Sequence, residues 1–346
     1  MLRVTFYSYK GGVGRTLALL NVAAILARQG RKVVAVDLDL EAPGFGLSSL
    51  TRRPQAEQPR GVSDFLLGRR LGTNKELEAS AYAYPVLSSY CHENLWLMPA
   101  GQRANELADL IPSLYDDLDD PSARLFDLLV AEVHHALKPD YLLFDSRTGT
   151  ADIAGVCTLE LPQVLVAVCG LNEQNVEGMA NMLEQTRDFR QQASLPEVAT
   201  LLVLSPVPVL PQASGSATVS MARDAAKSIV ARHASNYLRG ASEMAFSGLR
   251  SPEERLLADR LEDVQRRIMA PIYQEFGPGL ASFPSLRHPD LLHILNYDPM
   301  VPLTGELQVT RNSHLASGYR ELAMSLARAS TRDAEMVLVD FPQDGL

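Results

Sequence analysis

Tyr9-Lys10-Gly11-Gly12-Val13-Gly14-Arg15-Thr16 is the stretch of this 346-residue chain whose residue types and spacing point most directly to chemistry. It follows an apolar run that reads as a strand and precedes a helical pattern, the setting that a phosphate-binding loop requires. Glycines there let backbone N–H groups turn inward on phosphates, and the start of a helix adds partial positive charge. Gly11, Gly12, Val13, Gly14, Arg15 and Thr16 are therefore expected to hold the phosphates of a nucleotide, with the Thr16 hydroxyl on Mg²⁺. Arg15 stands where such loops usually carry lysine. Its guanidinium keeps the charge and can reach β- and γ-oxygens, but it is a broad planar fork instead of a compact point charge. Nucleotide binding is expected to survive, with slow hydrolysis; a site that binds without turnover is the alternative.

Two acidic stretches follow the same logic. Asp37-Leu38-Asp39-Leu40-Glu41 ends the next apolar run, and strict alternation puts Asp37 and Asp39 on one side of the strand end, beside the loop. Further along, Tyr141-Leu142-Leu143-Phe144-Asp145 is a short apolar strand ending in an acid, and Ser146-Arg147-Thr148-Gly149 continues from it. A carboxylate near a γ-phosphate is a modest base, which is sufficient because positioning and electrostatics carry most of phosphoryl transfer.

Lys10-Gly-Gly-Val-Gly-Arg15-Thr16 resembles the deviant Walker A motif of the ParA/MinD group of ATPases, which also contains the nitrogenase iron protein and the arsenite-pump ATPase. With arginine in the loop it is similar to the KGGVGR variant subgroup. The resemblance implies Mg-ATP as ligand and a face-to-face homodimer, in which Lys10, as the signature lysine, reaches the partner's nucleotide. It assigns Asp39 to the attacking water, Asp37 to Mg²⁺ through a water, and Asp145, as Walker B acid, to the metal shell. It also gives the Gly149 N–H the task of sensing the γ-phosphate. Relatives usually show Asp-Thr-Pro-Pro-Gly at the second switch, so Arg147 departs from the pattern. Two readings of Arg147 stand: assistance to transition-state charge, in cis or across the dimer, or a surface ion pair. Leu171–Asn175 suggests a polar patch at the dimer face or nucleotide rim. The family's base-reading Asn or Arg is absent from the loop after the following strand. Adenine is thus expected to meet backbone and apolar groups at Ser205 and Pro206.

The function so implied is a slow ATP-hydrolysing switch: ATP closes a dimer, hydrolysis opens it, and a partner protein reads the closed form. The variant subgroup resembles components of bacterial conflict and phage-defence cassettes. A nucleotide-holding structural or regulatory subunit is the second reading, favoured by Arg15. An ATP-dependent ligase or phosphotransferase is a third, disfavoured by Lys10.

Such a site needs a rigid sheet edge behind it. The chain alternates β-rich apolar runs with helical stretches, the signature of an α/β fold with a mostly parallel central sheet and helices on both faces. Strands are expected at Val4–Tyr7, Lys32–Asp37, Leu95–Met98, Tyr141–Asp145, Val164–Cys169, Leu201–Leu204 and His293–Asn296. Helices are expected near Thr16–Arg28, Ala123–Leu137, Val176–Arg190 and Leu315–Ala329. A single ATPase domain over 1–346 is expected, with a loop-rich insertion at 51–94 and an amphipathic helical insertion at 212–275. Plain helical cover of one sheet face is an equal reading of that second segment.

Composition narrows the partners. With 41 acidic against 32 basic residues and a net charge of -9, nonspecific nucleic-acid binding is not expected. The three cysteines are scattered without metal or redox spacing, which suits a reducing cytoplasm. Neither a signal peptide nor a membrane anchor is expected, because the apolar runs are short and the last residues are acidic. His134-His135 and His288/His293 have the wrong spacing for a helical metal pair. Asp116–Asp120 reads as a solvated loop, and Trp96 as core.

Overall fold

In the computed structural model the described residues are 1–47, 59–70, 81–114, 125–149, 155–196, 198–207, 286, 288–296, 306–310 and 314–330, with isolated positions between 256 and 268. Eight strands form one sheet: β1 Leu2–Tyr7, β2 Val33–Asp37, β3 Tyr84–Pro85, β4 Leu95–Met98, β5 Tyr141–Asp145, β6 Val164–Cys169, β7 Ala199–Val207 and β8 Leu292–Asn296. Their order is β3-β4-β2-β5-β1-β6-β7-β8. Every pairing is parallel except β3 with β4 at one edge. The expected mostly parallel sheet is thus present.

Alternation along the strands builds two cores. Val33 and Ala35 of β2, with Tyr141 and Leu143 of β5, belong to one apolar cluster. Val34 and Val36, with Leu142 and Phe144, belong to the other. Because the strands are buried on both faces, they read as continuous apolar runs, as parallel strands do. Helix α1 (Arg15–Arg28) lies on the first face, between the sheet and the C-terminal helix, and is buried from Ala18 to Ala27. On the second face lie α2 (Val62–Arg70), α3 (Ala104–Leu114) and α4 (Leu125–Leu137). Helix α5 (Glu173–Gln192) packs along β6, and α6 (Ser317–Ala329) packs on α1 and β8.

Within 51–94 the described residues include α2, a buried nine-residue helix. Its start is fastened by tertiary contacts that no local pattern announces. Val62 and Ser63 donate their N–H groups to the Pro99 and Ala100 carbonyls at 2.9 and 3.0 Å. The Asp64 carboxylate takes the N–H groups of Gly61 and Gln102 at 2.9 Å each. These partners supply what an uncapped helix start lacks. Trp96 is only partly buried, with the Lys32 ammonium 5.6 Å from its ring centre. The segment expected as a helical insertion, 212–275, lies outside the described residues save for isolated positions, and Asp116–Asp120 lies outside them altogether.

The topology positions the site. From β1 the chain crosses over β5 to β2, whereas from β5 it crosses over β1 to β6. Connections leaving in opposite directions open a crevice between the carboxyl ends of β1 and β5, where ligands of open α/β sheets bind. Lys10–Thr16 follows β1 into that crevice, and Asp145 ends β5 beside it.

Candidate functional site

Gly12 and Gly14 have φ of 78° and 82°, backbone that glycine adopts at no steric cost. Gly14 is the N-cap of α1 and offers no side chain to cap it, so the first amides of a 14-residue helix stay available to an anion. Arg15 is the first helical residue, and its side chain is only 7% exposed.

The guanidinium joins two strand ends. Nε donates to the Asp145 carboxylate at 2.6 Å, and Nη2 donates to Asp39 at 2.8 Å. Nη1 is buried and has no hydrogen-bond partner among the described residues. The Thr16 hydroxyl donates to the other Asp145 oxygen at 2.5 Å. The loop before α1, the end of β2 and the end of β5 are therefore locked together by one arginine and one threonine. Burial works against the Arg15 charge, but Asp145 and Asp39 outweigh it and hold the guanidinium above its ordinary pKa. Burial also lifts the Asp145 carboxyl, while Arg15 and Thr16 pull it down.

Asp37 does a different job from its neighbour. It is fully buried, and its oxygens accept the N–H groups of Asp39 at 3.1 Å, Gly44 at 3.0 Å and Phe45 at 3.2 Å. The carboxylate thus pins the loop that follows β2. Burial and then the Asp145 charge push its carboxyl well above the ordinary range, against those amides. Asp37 was expected at Mg²⁺ through a water and Asp39 at the attacking water; the structure gives Asp39 to Arg15 and Asp37 to backbone amides. Gly44 in turn lies against Thr16, since a Cβ there would stand 2.7 Å from the Thr16 methyl.

Beyond Asp145, Arg147 pairs with Glu41 at 2.6 Å, so the two acidic segments are bridged a second time, nearer the surface. Gly149, with φ 81°, donates its N–H to the Tyr9 carbonyl at 3.1 Å and accepts the Tyr7 hydroxyl at 3.0 Å. Sequence reasoning missed Glu41 and Tyr7; their only signal was a long acid after Asp39 and a phenol at the end of a buried strand. Lys10 is exposed, its ammonium 5.3 Å from the Tyr9 ring centre. On the far rim Ser205 is buried and Pro206 exposed. A Cβ on Gly14 would come 3.3 Å from the Ser205 hydroxyl, so β7 closes the loop from that side. In the expected polar patch, Asn172 caps α5 by accepting the Asn175 N–H at 2.9 Å, and Asn175 is buried with an unpartnered Oδ1.

The residues present fit Mg²⁺ and a nucleotide. Thr16 and Asp145 offer adjacent hard oxygens of the kind Mg²⁺ takes. The unused Arg15 Nη1 and the uncapped start of α1 suit phosphate oxygens. Among the described residues no cluster of three or more His, Cys, Asp and Glu is placed to hold a metal ion, and no helix is long and apolar enough to cross a membrane.

A model of the CobQ/CobB/MinD/ParA nucleotide binding domain matches residues 4–243. The chromosome-partitioning ATPase Soj of Thermus thermophilus is 42% identical over 69 residues, which span 20% of this chain and only 25% of that relative. The fold is similar to that of a variant of Cyanothece McdA in complex with ATP, with TM-score 0.61 at 12% identity, covering 94% of this chain and 96% of that one. It is also similar to Aquifex aeolicus MinD in complex with MinC, with TM-score 0.53 at 16% identity over 94% and 95% of the two chains.

Proposed function

The chain belongs to the CobQ/CobB/MinD/ParA nucleotide-binding domain family, and from that premise we propose that it is a Mg-ATP-dependent dimerisation switch that hydrolyses ATP slowly. The observation that carries this reading is the convergence of Arg15 and Thr16 on Asp39 and Asp145. A loop built for phosphates and the two acids suited to metal and water are already one cluster.

Thr16 and Asp145 would hold Mg²⁺, which when bound supplies charge neutralisation for the β- and γ-oxygens. Arg15 binds the phosphates by leaving its two carboxylates. Asp39, once released, orients the attacking water, and Asp37 keeps the loop that carries it in register. Arg147, bridged to Glu41, ties the second switch to the first and adds positive charge beside the phosphates. The loop glycines and the amides at the start of α1 cradle the phosphates, while Ser205 and Pro206 border the base. Lys10, exposed on the loop, extends to the nucleotide of a second copy. MinD has been solved with the protein MinC, which supports a protein partner here; the setting proposed for it, a bacterial conflict or phage-defence cassette, follows from the resemblance of the loop to the variant subgroup.

One feature favours the second reading, a subunit that holds nucleotide with little turnover. Arg15 is bound to two buried acids at once, and a guanidinium so paired gives them up less readily than a lysine would. Turnover and co-purified nucleotide separate the two readings. The switch requires measurable hydrolysis with Mg²⁺, abolished in Asp39→Ala; retained nucleotide without turnover would leave the holding subunit.

A further inference from the structure

Tyr7 is buried at the carboxyl end of β1. A buried phenol O–H must find an acceptor, and this one reaches the Gly149 carbonyl, 3.0 Å away and 142 residues later. Backbone pairing of β1 with β5 stops just short of this point, at Phe6 with Asp145, followed by the Ser146 N–H on the Phe6 carbonyl at 3.0 Å. The Tyr7 hydroxyl is therefore a side-chain rung that continues the ladder where the strands have ended. Burial, and then Tyr9, raise its pKa above the ordinary phenol value, so it stays a donor throughout the neutral range.

The N–H of the same glycine donates to the Tyr9 carbonyl at 3.1 Å. Both polar atoms of Gly149 are thus held by residues leading into the phosphate loop. Its φ of 81° suits glycine, and among the described residues nothing lies within 4 Å of where a Cβ would stand. Tyr9 itself is wedged against α5, since a Cβ on Gly178 would come within 2.2 Å of its ring.

We propose that Tyr7 is a positioning residue for the triphosphate: its hydroxyl anchors the Gly149 carbonyl so that the Gly149 N–H can leave Tyr9 and meet the γ-phosphate. The proposal rests on the reading of this loop as an ATP site. The exchange has a second effect, because the carbonyl it frees belongs to the peptide immediately before Lys10. Arrival of a γ-phosphate thereby loosens the segment that carries the lysine facing a second copy. A diphosphate offers nothing to draw the N–H away, so the hydroxyl matters for ATP and not for ADP.

Tyr7→Phe removes one oxygen and keeps the ring. Titration of Mg-ADP and of Mg-AMPPNP into wild type and Tyr7→Phe, with melting curves alongside, tests the assignment. The expected result is ADP affinity within about twofold of wild type and AMPPNP affinity weaker by about tenfold, the size of one well-placed hydrogen bond. Equal weakening of both nucleotides or a variant that does not fold would make Tyr7 a structural residue, and weakening of neither would make its hydroxyl dispensable; each overturns the proposal. Wild-type protein that binds neither nucleotide would remove the ATP reading beneath it.

Discussion

Arg15 neutralises two buried acids, so its replacement should report on stability and binding separately. Breaking a buried pair by deleting one partner leaves uncompensated charge and costs about 3–5 kcal/mol. Arg15→Ala is expected to lower unfolding free energy by that order in urea titrations, and to weaken ADP binding. Arg15→Lys keeps a charge without the fork; it should recover most of the stability and raise kcat if a compact charge aligns the γ-phosphate better. Arg147 sits with Glu41 in a partly exposed pair, worth only about 0.2–1 kcal/mol. Arg147→Ala should therefore leave the melting temperature within a degree or two, by the same weak-pair argument, while lowering turnover. Turnover equal to wild type would reduce Arg147 to an ion pair. At this scale the motif residues were legible from order alone: Thr16, Asp39 and Asp145 do meet around one arginine. Alternation could not separate Asp37 from Asp39, because the amides that claim Asp37 come from residues 44 and 45 in an irregular loop.

Elements with a single strong period were readable, and those made by contact were not. Strands β5 and β6 fall at the expected residues, since buried parallel strands announce themselves as apolar runs ending in punctuation. Strand β7 extends past expectation to Val207, through a Ser-Pro that would ordinarily end a strand. Helix α2 was hidden because its start depends on carbonyls after β4. Gly61 shows how tight that junction is: a Cβ there would lie 1.9 Å from the Pro99 carbonyl oxygen. Gly61→Ala must push two backbones apart, and overpacking of that kind costs about 1–3 kcal/mol. Circular dichroism during urea unfolding should show the loss; the junction follows β4 on the same carboxyl edge of the sheet as the phosphate loop, with β2 and β5 between them.

Across the whole molecule, the exposed Lys10 and the converged loop predict a change of mass with ligand. Light scattering is expected to show a monomer with Mg-ADP and a dimer with Mg-AMPPNP, and Lys10→Ala should stay monomeric with both. A mass indifferent to nucleotide would favour the holding subunit. The general plan of the sheet was legible, but strand order was not, since periodicity says nothing about which strands are neighbours. That order bears on how the polypeptide is made. Strand β1 lies at the centre of the sheet, with Leu2 beside Tyr141 and Val4 beside Val164. A ribosome must deliver everything between Leu2 and Tyr141 before β1 finds either neighbour, and such distant pairings form slowly. Until then an apolar stretch stands uncovered, exposed to aggregation or to capture by a chaperone. Stalled nascent chains should accordingly remain protease-sensitive when only β1 and β2 have emerged, and become resistant once β6 is outside the exit tunnel.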